Sequence, residues 1–544
     1  STATISQLPI FINNDIGSYS IDPSFSIGTG LQATDYIPTS TGLAGNANAT
    51  GILTDFTGTT RNMARTSIGA FDYAVIGNVQ ITATSGTSSS TYSSLKNAFD
   101  AINTGIHQGA ITIKLNGSTG ETISAILNAS GTIGSTGTYT GTASYTSVTM
   151  YPTVTGVTIT GNLSTPLIDL NGADNVVIDG RVNATGSTKS LTIANYYNSN
   201  AGTASTIRWI NDASNNTLQY AVIKGAVQGN SSYSNGVLFF ANGTTTGNIN
   251  NTITYNDISG LGASLRPNSL ISSKSSTTNV FNKNNQITNN SLFDFFNPTA
   301  TSYGINLNTN SDYYTITGNS FYETTNLTSS NTWTYAFIYA VGLMTNGNIA
   351  NNYFGGASPN AQGTFTKVGS NNPFYGIYIS STNLATGNPN ISIQNNTFKN
   401  INFTNSGAAN FYSVFVSANG ATISNNTIGS STTNDAIVFK NASSNGAFYG
   451  LYLITGNGSS KAENNTIAGI KVDNSDATSA THFYGIYAYP TGVLNVTNNL
   501  IGSATISNSI ITNSQATGYA LGQILVGINV AWGGSSTTNV IGNT

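Results

Sequence analysis

The chain has 544 residues, of which only 6% are charged, whereas an average soluble protein carries about 25%. The net charge of −3 offers none of the positive field that nucleic acids and anionic membranes require, so neither is a predicted partner. With 38% hydrophobic and 10% aromatic residues, the chain is too apolar to remain disordered. It contains no apolar run of about 18 residues, which excludes a membrane-spanning helix.

One amphipathic helix is predicted, over residues 91–103. Its apolar positions follow the spacing of a single helix face and are Leu95, Ala98, Phe99 and Ile102. Short apolar strands start near residue 110, so this helix would cover the open end of a strand stack and shield its unpaired edge. We therefore predict a capping region over residues 76–109.

A turn of Asn-Asn or Gly-Asn followed by an apolar residue recurs through the second half of the chain. Its copies begin at Asn250, Asn289, Gly318, Asn351, Asn395, Asn425, Asn464 and Asn498. Separations of roughly 30 to 44 residues fall in the range of solenoid repeats. Asn tolerates the left-handed backbone that a sharp turn needs, and stacked Asn side chains can form a ladder. The pattern predicts an all-β, right-handed parallel β-helix over residues 110–544, and neither a propeller nor a leucine-rich repeat matches it.

A second repeated strand reads Phe-Tyr-Gly-Ile-Tyr or a close variant. Its copies begin at Phe374, Phe411, Phe448 and Phe483, with a looser copy at Ile338–Ala340. Strand alternation sends an aliphatic set inward, namely Ile377, Val414, Leu451 and Ile486. It sends an aromatic column outward, namely Tyr339, Tyr378, Phe415, Tyr452 and Tyr487. Two interpretations stay open: loops cover the column as additional core, or it is an exposed stripe that contacts neighbouring copies or sugars.

Candidates for chemistry are few. Three aspartates lie within eleven residues, at Asp169, Asp174 and Asp179, and they predict either turn capping or a calcium site. The nearest strong bases, Arg181 and Arg208, have no spacing that pairs them with these carboxylates. His107 and His482 have no acidic neighbours in sequence and are interpreted as structural. The absence of Cys and the presence of only three Glu speak against thiol catalysis, Cys zinc sites and paired-carboxylate hydrolysis. We predict no catalytic residue, metal or cofactor.

Residues 82–179 resemble a recurrent segment of known proteins. The motifs that carry the likeness are Ala98–Asn103, Ile159–Asn162 and Ile168–Gly180. The segment is similar to secreted parallel β-helix, pectin-lyase-like surface proteins of the Bacteroidota, many of them type IX secretion substrates. This resemblance implies a parallel β-helix and an extracellular or cell-surface location, with which the lack of Cys is compatible, but it implies no particular activity.

Residues 1–75 resemble the piece that usually closes such a β-helix at its C-terminal end. The matching stretches are Thr54–Arg61 and Ile68–Asp72, and here they come first. At the other end, Asn539–Thr544 repeats the turn signature. We therefore expect residues 1–75 to pair with a neighbouring copy, which makes the protein a non-enzymatic rod that assembles head-to-tail into a filament. The alternatives are a cell-surface adhesin or carbohydrate-binding β-helix that contacts surface glycans and, third, a polysaccharide lyase or hydrolase.

Overall fold

The computed structural model describes residues 77–136, 139–199, 203–228, 235–381, 390–443, 445–517, 522–531 and 536–544. These residues form a right-handed parallel β-helix, which confirms the predicted fold. Each complete coil passes through sheet A, a turn, sheet B, in later coils sheet C, and finally sheet D. The expected closing segment, residues 1–75, lies outside the described residues.

In the described part of the chain, sheet A has fifteen strands. They are Ser89–Tyr92, Val79–Gly86, His107–Leu115, Tyr145–Pro152, Val176–Asp179, Thr217–Gln219, Thr252–Thr254, Gln286–Thr288, Thr315–Thr317, Asn348–Ala350, Ile391–Gln394, Ala421–Ser424, Ser459–Glu463, Val493–Thr497 and Thr537–Ile541. Sheet B, again counted over the described residues, has twelve. They are Thr119–Glu121, Val157–Gly161, Leu191–Asn195, Val222–Gly225, Asp257–Ser259, Ser291–Phe293, Ser320–Tyr322, Tyr353–Phe354, Thr397–Phe398, Thr427–Gly429, Thr466–Ala468 and Leu500–Ile501.

Sheet C contains six strands within the described ranges: Leu327–Ser329, Phe365–Gly369, Ile401–Asn405, Ile437–Asn441, Ile470–Asn474 and Ile510–Ser514. Sheet D contains twelve over the same ranges: Ala125–Asn128, Ile168–Asn171, Ile207–Ile210, Leu238–Phe240, Ser269–Ser273, Ser302–Leu307, Tyr335–Ala340, Phe374–Ser380, Phe411–Ala418, Gly446–Thr455, Thr481–Pro490 and Leu525–Val530. Smaller elements are the strand pairs Ile133–Thr136 with Tyr139–Thr142 and Asn282–Lys283 with Ser311–Asp312, and the 3₁₀ turns Val182–Ala184 and Pro359–Ala361.

The predicted helix spans Leu95–Asn103. It begins later than expected because Ser89–Tyr92 forms a strand antiparallel to Val79–Gly86. Ser94 caps the helix by accepting a hydrogen bond from the Asn97 amide.

Both ends of this helix are tied to the first coil. The buried carboxylate of Glu121 accepts the Leu95 and Lys96 amides at 2.9 and 3.1 Å, which satisfies donors that a helix N-terminus leaves free. At the other end, the Asn103 side chain donates to the Ile126 carbonyl and accepts the Asn128 amide at 2.8 and 2.9 Å. Asn103 thus makes the two hydrogen bonds that another strand would make with this edge of sheet D.

The inward side chains of the stacked coils form one continuous apolar core. The aliphatic set Ile377, Val414, Leu451 and Ile486 lies in this core, and each member is 0% exposed. Parallel pairing joins Ile377 to Val414, Val414 to Leu451, and Leu451 to Ile486.

The Asn turns between sheets A and B have two distinct positions. The first Asn takes the left-handed backbone, with φ of 55 to 57° at Asn289, Asn351, Asn395, Asn425, Asn464 and Asn498. The second Asn points inward and bonds to its equivalent in the next coil at 2.8–3.1 Å, which forms a ladder from Asn256 to Asn543. The Asn250-Asn251 pair lies instead just before a sheet A strand. Tyr255, with φ of 57°, and Asn256 form the sheet A to sheet B turn in that coil.

Candidate functional site

The outer face of sheet D carries nine aromatic side chains in two columns, which we call the aromatic face. Column 1 consists of Tyr375, Tyr412, Tyr449 and Tyr484. Column 2 consists of the predicted residues Tyr339, Tyr378, Phe415, Tyr452 and Tyr487. All nine rings are partly exposed, so the described residues do not bury them completely.

The rings pack in a herringbone arrangement. Neighbours within a column have centroids 4.5–5.1 Å apart and planes within 12° of parallel. The two rings of one strand are 4.9–5.6 Å apart with planes at 76–87°. Both geometries are favourable for aromatic pairs. Because each ring face rests against the next ring, the aromatic face presents mainly ring edges and phenol hydroxyls to solvent.

Column 1 was missed from the sequence because strict alternation would send Tyr375 inward with Ile377. In the structure Gly376 interrupts the alternation, and the pairing passes from Tyr375–Tyr412 directly to Ile377–Val414. A Cβ on Gly376 would lie 2.3 Å from the Ser413 carbonyl oxygen, so the glycine permits this close approach of two strands. The recurring Tyr-Gly-apolar-Tyr spacing was the available signal, because two tyrosines three residues apart share a face only if the strand is irregular between them.

Most phenol hydroxyls of the aromatic face make no hydrogen bond to the described part of the chain. Burial raises the pKa of Tyr375 and of Tyr449 above the ordinary tyrosine value, and neighbouring phenols add to the shift. The Tyr412 hydroxyl accepts a hydrogen bond from Asn410 Nδ2 at 3.0 Å. Six further hydroxyls make no hydrogen bond to the described part of the chain, namely those of Tyr375, Tyr378, Tyr449, Tyr452, Tyr484 and Tyr487.

A groove of about 340 Å³ lies at the N-terminal end of the aromatic face. Its lining is Thr301, Tyr303, Asn308, Thr334, Tyr339, Val341, Tyr375 and Tyr378. The Tyr303 ring stacks on Tyr339 at 4.6 Å, which extends column 2 toward the groove. The groove therefore combines aromatic surface with hydroxyl and amide groups.

An unsatisfied amide lies beside this groove. Asn306 pairs in register with the groove residue Tyr339 and is 1% exposed. Neither its Oδ1 nor its Nδ2 has a hydrogen-bond partner among the described residues. A buried polar group without a partner costs about 1–3 kcal/mol. Asn306 does not line the groove, so the structure does not show it in reach of a ligand.

The three aspartates Asp169, Asp174 and Asp179 bind arginines or a backbone amide. Asp169 binds Arg208 with two hydrogen bonds of 3.0 and 2.7 Å, and Asp179 binds Arg181 at 2.6 Å. The expectation that neither arginine pairs with these carboxylates was wrong. Stacking brings Arg208 beside Asp169 of the preceding coil, whereas Arg181 folds back onto Asp179, two residues before it. Asp174 accepts the Ser214 amide at 2.8 Å. No group of three metal-ligating side chains occurs in the described ranges, and the geometry gives these aspartates capping and pairing roles.

The two histidines lie in different parts of the β-helix. His107 is buried under the capping region, where it contacts the Tyr92 hydroxyl and the Thr87 carbonyl, both at 2.6 Å. His482 borders the aromatic face, and its Nδ1 accepts the Ile524 amide at 3.1 Å. Burial lowers the pKa of both side chains.

No protein-family model and no curated protein matches the chain. Among solved structures, the chain is similar to the PL6 family polysaccharide lyase from Pseudopedobacter saltans. The identity is 12%, the match covers 80% of this chain and 91% of the lyase, and the TM-score is 0.32. Such a likeness concerns the fold and does not transfer an activity. Over the described residues, no helix is long and apolar enough to cross a membrane.

This comparison corrects two predictions from the sequence. A self-assembling, non-enzymatic rod was expected, whereas the structural neighbour is an enzyme that acts on polysaccharide. Side chains far apart in sequence can meet in a solenoid. Asp169 and Arg208 are 39 residues apart in sequence and are hydrogen-bonded in space. In a solenoid, the absence of a local catalytic motif therefore cannot exclude an enzyme.

Proposed function

We propose that this protein binds a polysaccharide along the aromatic face of sheet D. The observation that carries the proposal is the herringbone of nine partly exposed rings, which continues over five successive strands. Large contiguous apolar patches are uncommon on monomeric proteins and mark binding sites. Because the same ring pair repeats from coil to coil, the surface suits a ligand that is itself linear and repeating.

The chemistry of the aromatic face fits sugars. A sugar ring has apolar C–H surfaces and several hydroxyls, and a tyrosine edge offers both an apolar contact and a hydroxyl that donates and accepts. The rings are already held by their neighbours, so binding orders few additional side chains and loses little conformational entropy. A rigid, uncharged platform of this kind can hold a chain through many weak contacts.

The proposal includes a location outside the cell or at its surface. It rests on the resemblance of residues 82–179 to secreted Bacteroidota β-helix proteins and on the absence of Cys. Export by the type IX route is part of the same proposal. Detection of the protein in the medium or on intact cells by antibody labelling tests it, and retention inside the cell would contradict it.

The binding proposal is tested with a fourfold variant, Tyr378→Ser, Phe415→Ser, Tyr452→Ser and Tyr487→Ser. Sedimentation with a panel of insoluble polysaccharides and affinity electrophoresis with soluble ones should show binding by the native chain and loss of binding by the variant. Circular dichroism establishes that the β-helix persists. Release of unsaturated sugar products is measured in the same samples, so that cleavage of the polysaccharide is also detected.

A matched control removes exposed tyrosines that lie elsewhere. Tyr196 and Tyr353 are 52% and 37% exposed and are not part of the aromatic face. The double variant Tyr196→Ser and Tyr353→Ser should bind like the native chain. Equal binding by native chain and fourfold variant would refute the proposal, and unfolding of the fourfold variant would favour the interpretation of these rings as covered core.

A further inference from the structure

We infer that the groove at the head of the aromatic face binds an uncharged sugar unit, so that the ligand is a neutral polysaccharide and not a polyuronate. This inference rests on the proposed function and specifies its substrate class. It follows from the absence of charged residues in the groove and in the strands around it.

The five strands of the aromatic face, and the preceding strand Ser302–Leu307 that carries the groove residue Tyr303, contain no charged residue. Lys, Arg, Asp and Glu are absent from Ser302–Leu307, Tyr335–Ala340, Phe374–Ser380, Phe411–Ala418, Gly446–Thr455 and Thr481–Pro490. His482 lies in the last of them, and burial lowers its pKa, which favours the neutral imidazole. The aromatic face and the strand before it are therefore uncharged at neutral pH.

The groove itself is also uncharged. Its eight lining residues are threonine, tyrosine, asparagine and valine. Along sheet D, the Lys or Arg closest to the groove in strand register is Lys274. Ser273 pairs with Leu307, so the next residue, Lys274, lies one coil before Asn308. Lys274 is not among the residues that line the groove.

Charged residues occupy other parts of the structure. In sheet D itself, Asp169 and Arg208 lie in earlier coils and bind each other at 2.7 Å. Lysines occur in the strands of sheet C, at Lys367, Lys440 and Lys471. The sheet B strands from Ser291–Phe293 to Leu500–Ile501 also lack charged residues. The aromatic face is therefore one of two uncharged surfaces in these coils, and it is the one that carries the stacked rings and the groove.

A polyuronate places a carboxylate on every sugar unit. Proteins recognise carboxylates with Arg or Lys, or through Ca²⁺ held by acidic and carbonyl oxygens. Moving a carboxylate from water onto an uncharged, partly dry surface costs free energy that no cation here returns. A neutral sugar avoids this cost, because its hydroxyls can bond to the phenols, the threonines and Asn308.

The groove has the dimensions of a specific subsite. Its volume of about 340 Å³ falls at the lower end of ordinary small-ligand sites, which span ≈ 300–1,000 Å³. Aromatic walls with a few polar groups are the usual composition of such a site.

The test compares ligands of different charge and two matched variants. Affinity electrophoresis and titration calorimetry are run with a β-glucan, a mannan and chitooligosaccharides as neutral probes, and with alginate and polygalacturonate as charged ones, each at low and high salt. Tyr375→Ser alters the groove, and Tyr449→Ser removes an equivalent ring of column 1 that does not line the groove.

We expect at least one neutral probe to bind about 10-fold or more tightly than either polyuronate, a difference of ~1.4 kcal/mol or more. This binding should be insensitive to salt, reduced about 10-fold or more by Tyr375→Ser, and changed less by Tyr449→Ser. Preferential binding of a polyuronate that still depends on the aromatic face would overturn the inference and leave the proposed function standing. Equal losses in the two variants would overturn the role of the groove. Binding of no probe, or binding unaffected by the fourfold Ser variant, would overturn the proposed function as well.

Discussion

Asn396 stands in the middle of the asparagine ladder, and its replacement tests how much the ladder stabilises the β-helix. Its Oδ1 accepts the backbone amide and the Nδ2 of Asn352, each at 3.0 Å. Its Nδ2 donates to the Ile349 carbonyl at 2.8 Å and to Asn426 Oδ1 at 2.9 Å. The side chain is 0% exposed, so water does not replace these bonds.

Asn396→Ala leaves two donors of Asn352 without an acceptor, the backbone N–H and one Nδ2 proton. The other Nδ2 proton still bonds to the Ile316 carbonyl. A buried unsatisfied group costs about 1–3 kcal/mol, so the variant should lose roughly 2–6 kcal/mol of unfolding free energy. Urea unfolding followed by circular dichroism measures the loss.

The control is Asn402→Ala, because Asn402 is partly exposed and its side chain makes no hydrogen bond within the described residues. It should change stability by at most about 0.5 kcal/mol. If Asn396→Ala costs no more than this control, the ladder contributes little and the reasoning fails.

Asn396→Asp adds a pH test at the same position. The substitution keeps an acceptor for Asn352 but sets a carboxylate oxygen against the Ile349 carbonyl and Asn426 Oδ1, which raises the pKa of the new carboxyl above the unfolded value of about 3.9. The folded variant then binds more protons than the unfolded variant, so its stability relative to the native chain falls as pH rises from about 4 to neutral. A stability difference independent of pH would contradict this account.

Three further predictions concern the core, a buried lysine and the helix Leu95–Asn103, which we call the lid helix because it covers the first coil. Leu451→Asp should cost several kcal/mol in thermal or urea unfolding, because it places an unpaired charge at a 0% exposed site. Glu121→Ala should cost about 1–3 kcal/mol and increase hydrogen exchange at the start of the lid helix, because the Leu95 amide loses its acceptor. Burial lowers the Lys367 pKa to about 7, so the folded chain binds fewer protons than the unfolded one between about pH 7 and 10.4. Native stability should therefore rise over this range relative to Lys367→Met.

Each of these three predictions can be contradicted by a specific result. An unchanged melting temperature for Leu451→Asp would show that the inward register is incorrect. Exchange at the lid unaffected by Glu121→Ala would mean that other contacts hold the helix. A stability difference between the native chain and Lys367→Met that does not vary between pH 7 and 10 would show that the lysine titrates normally in the fold.

The fold itself was predictable from the sequence, for a local physical reason. A left-handed Asn followed by an inward Asn and a short apolar strand is a complete description of one corner, and its recurrence predicts stacking. Alternation along the strand also placed Ile377 inside and Tyr378 outside, because the direction of a side chain in a regular strand depends only on its position in that strand. The lid helix was visible for the same reason, although its first residue was not, since pairing of Ser89–Tyr92 with Val79–Gly86 is a long-range choice.

Tertiary structure alone decided which side chains meet across coils. Stacking pairs Asp169 with Arg208 and aligns Tyr375 with Tyr412, although neither pair is close in sequence. The approach of Gly376 to the next strand turns Tyr375 outward and so creates the second column, which strict alternation cannot express. The groove and its lack of charge are likewise properties of several coils together. A sequence read one strand at a time determines the coil, whereas the surface arises only when the coils are placed side by side.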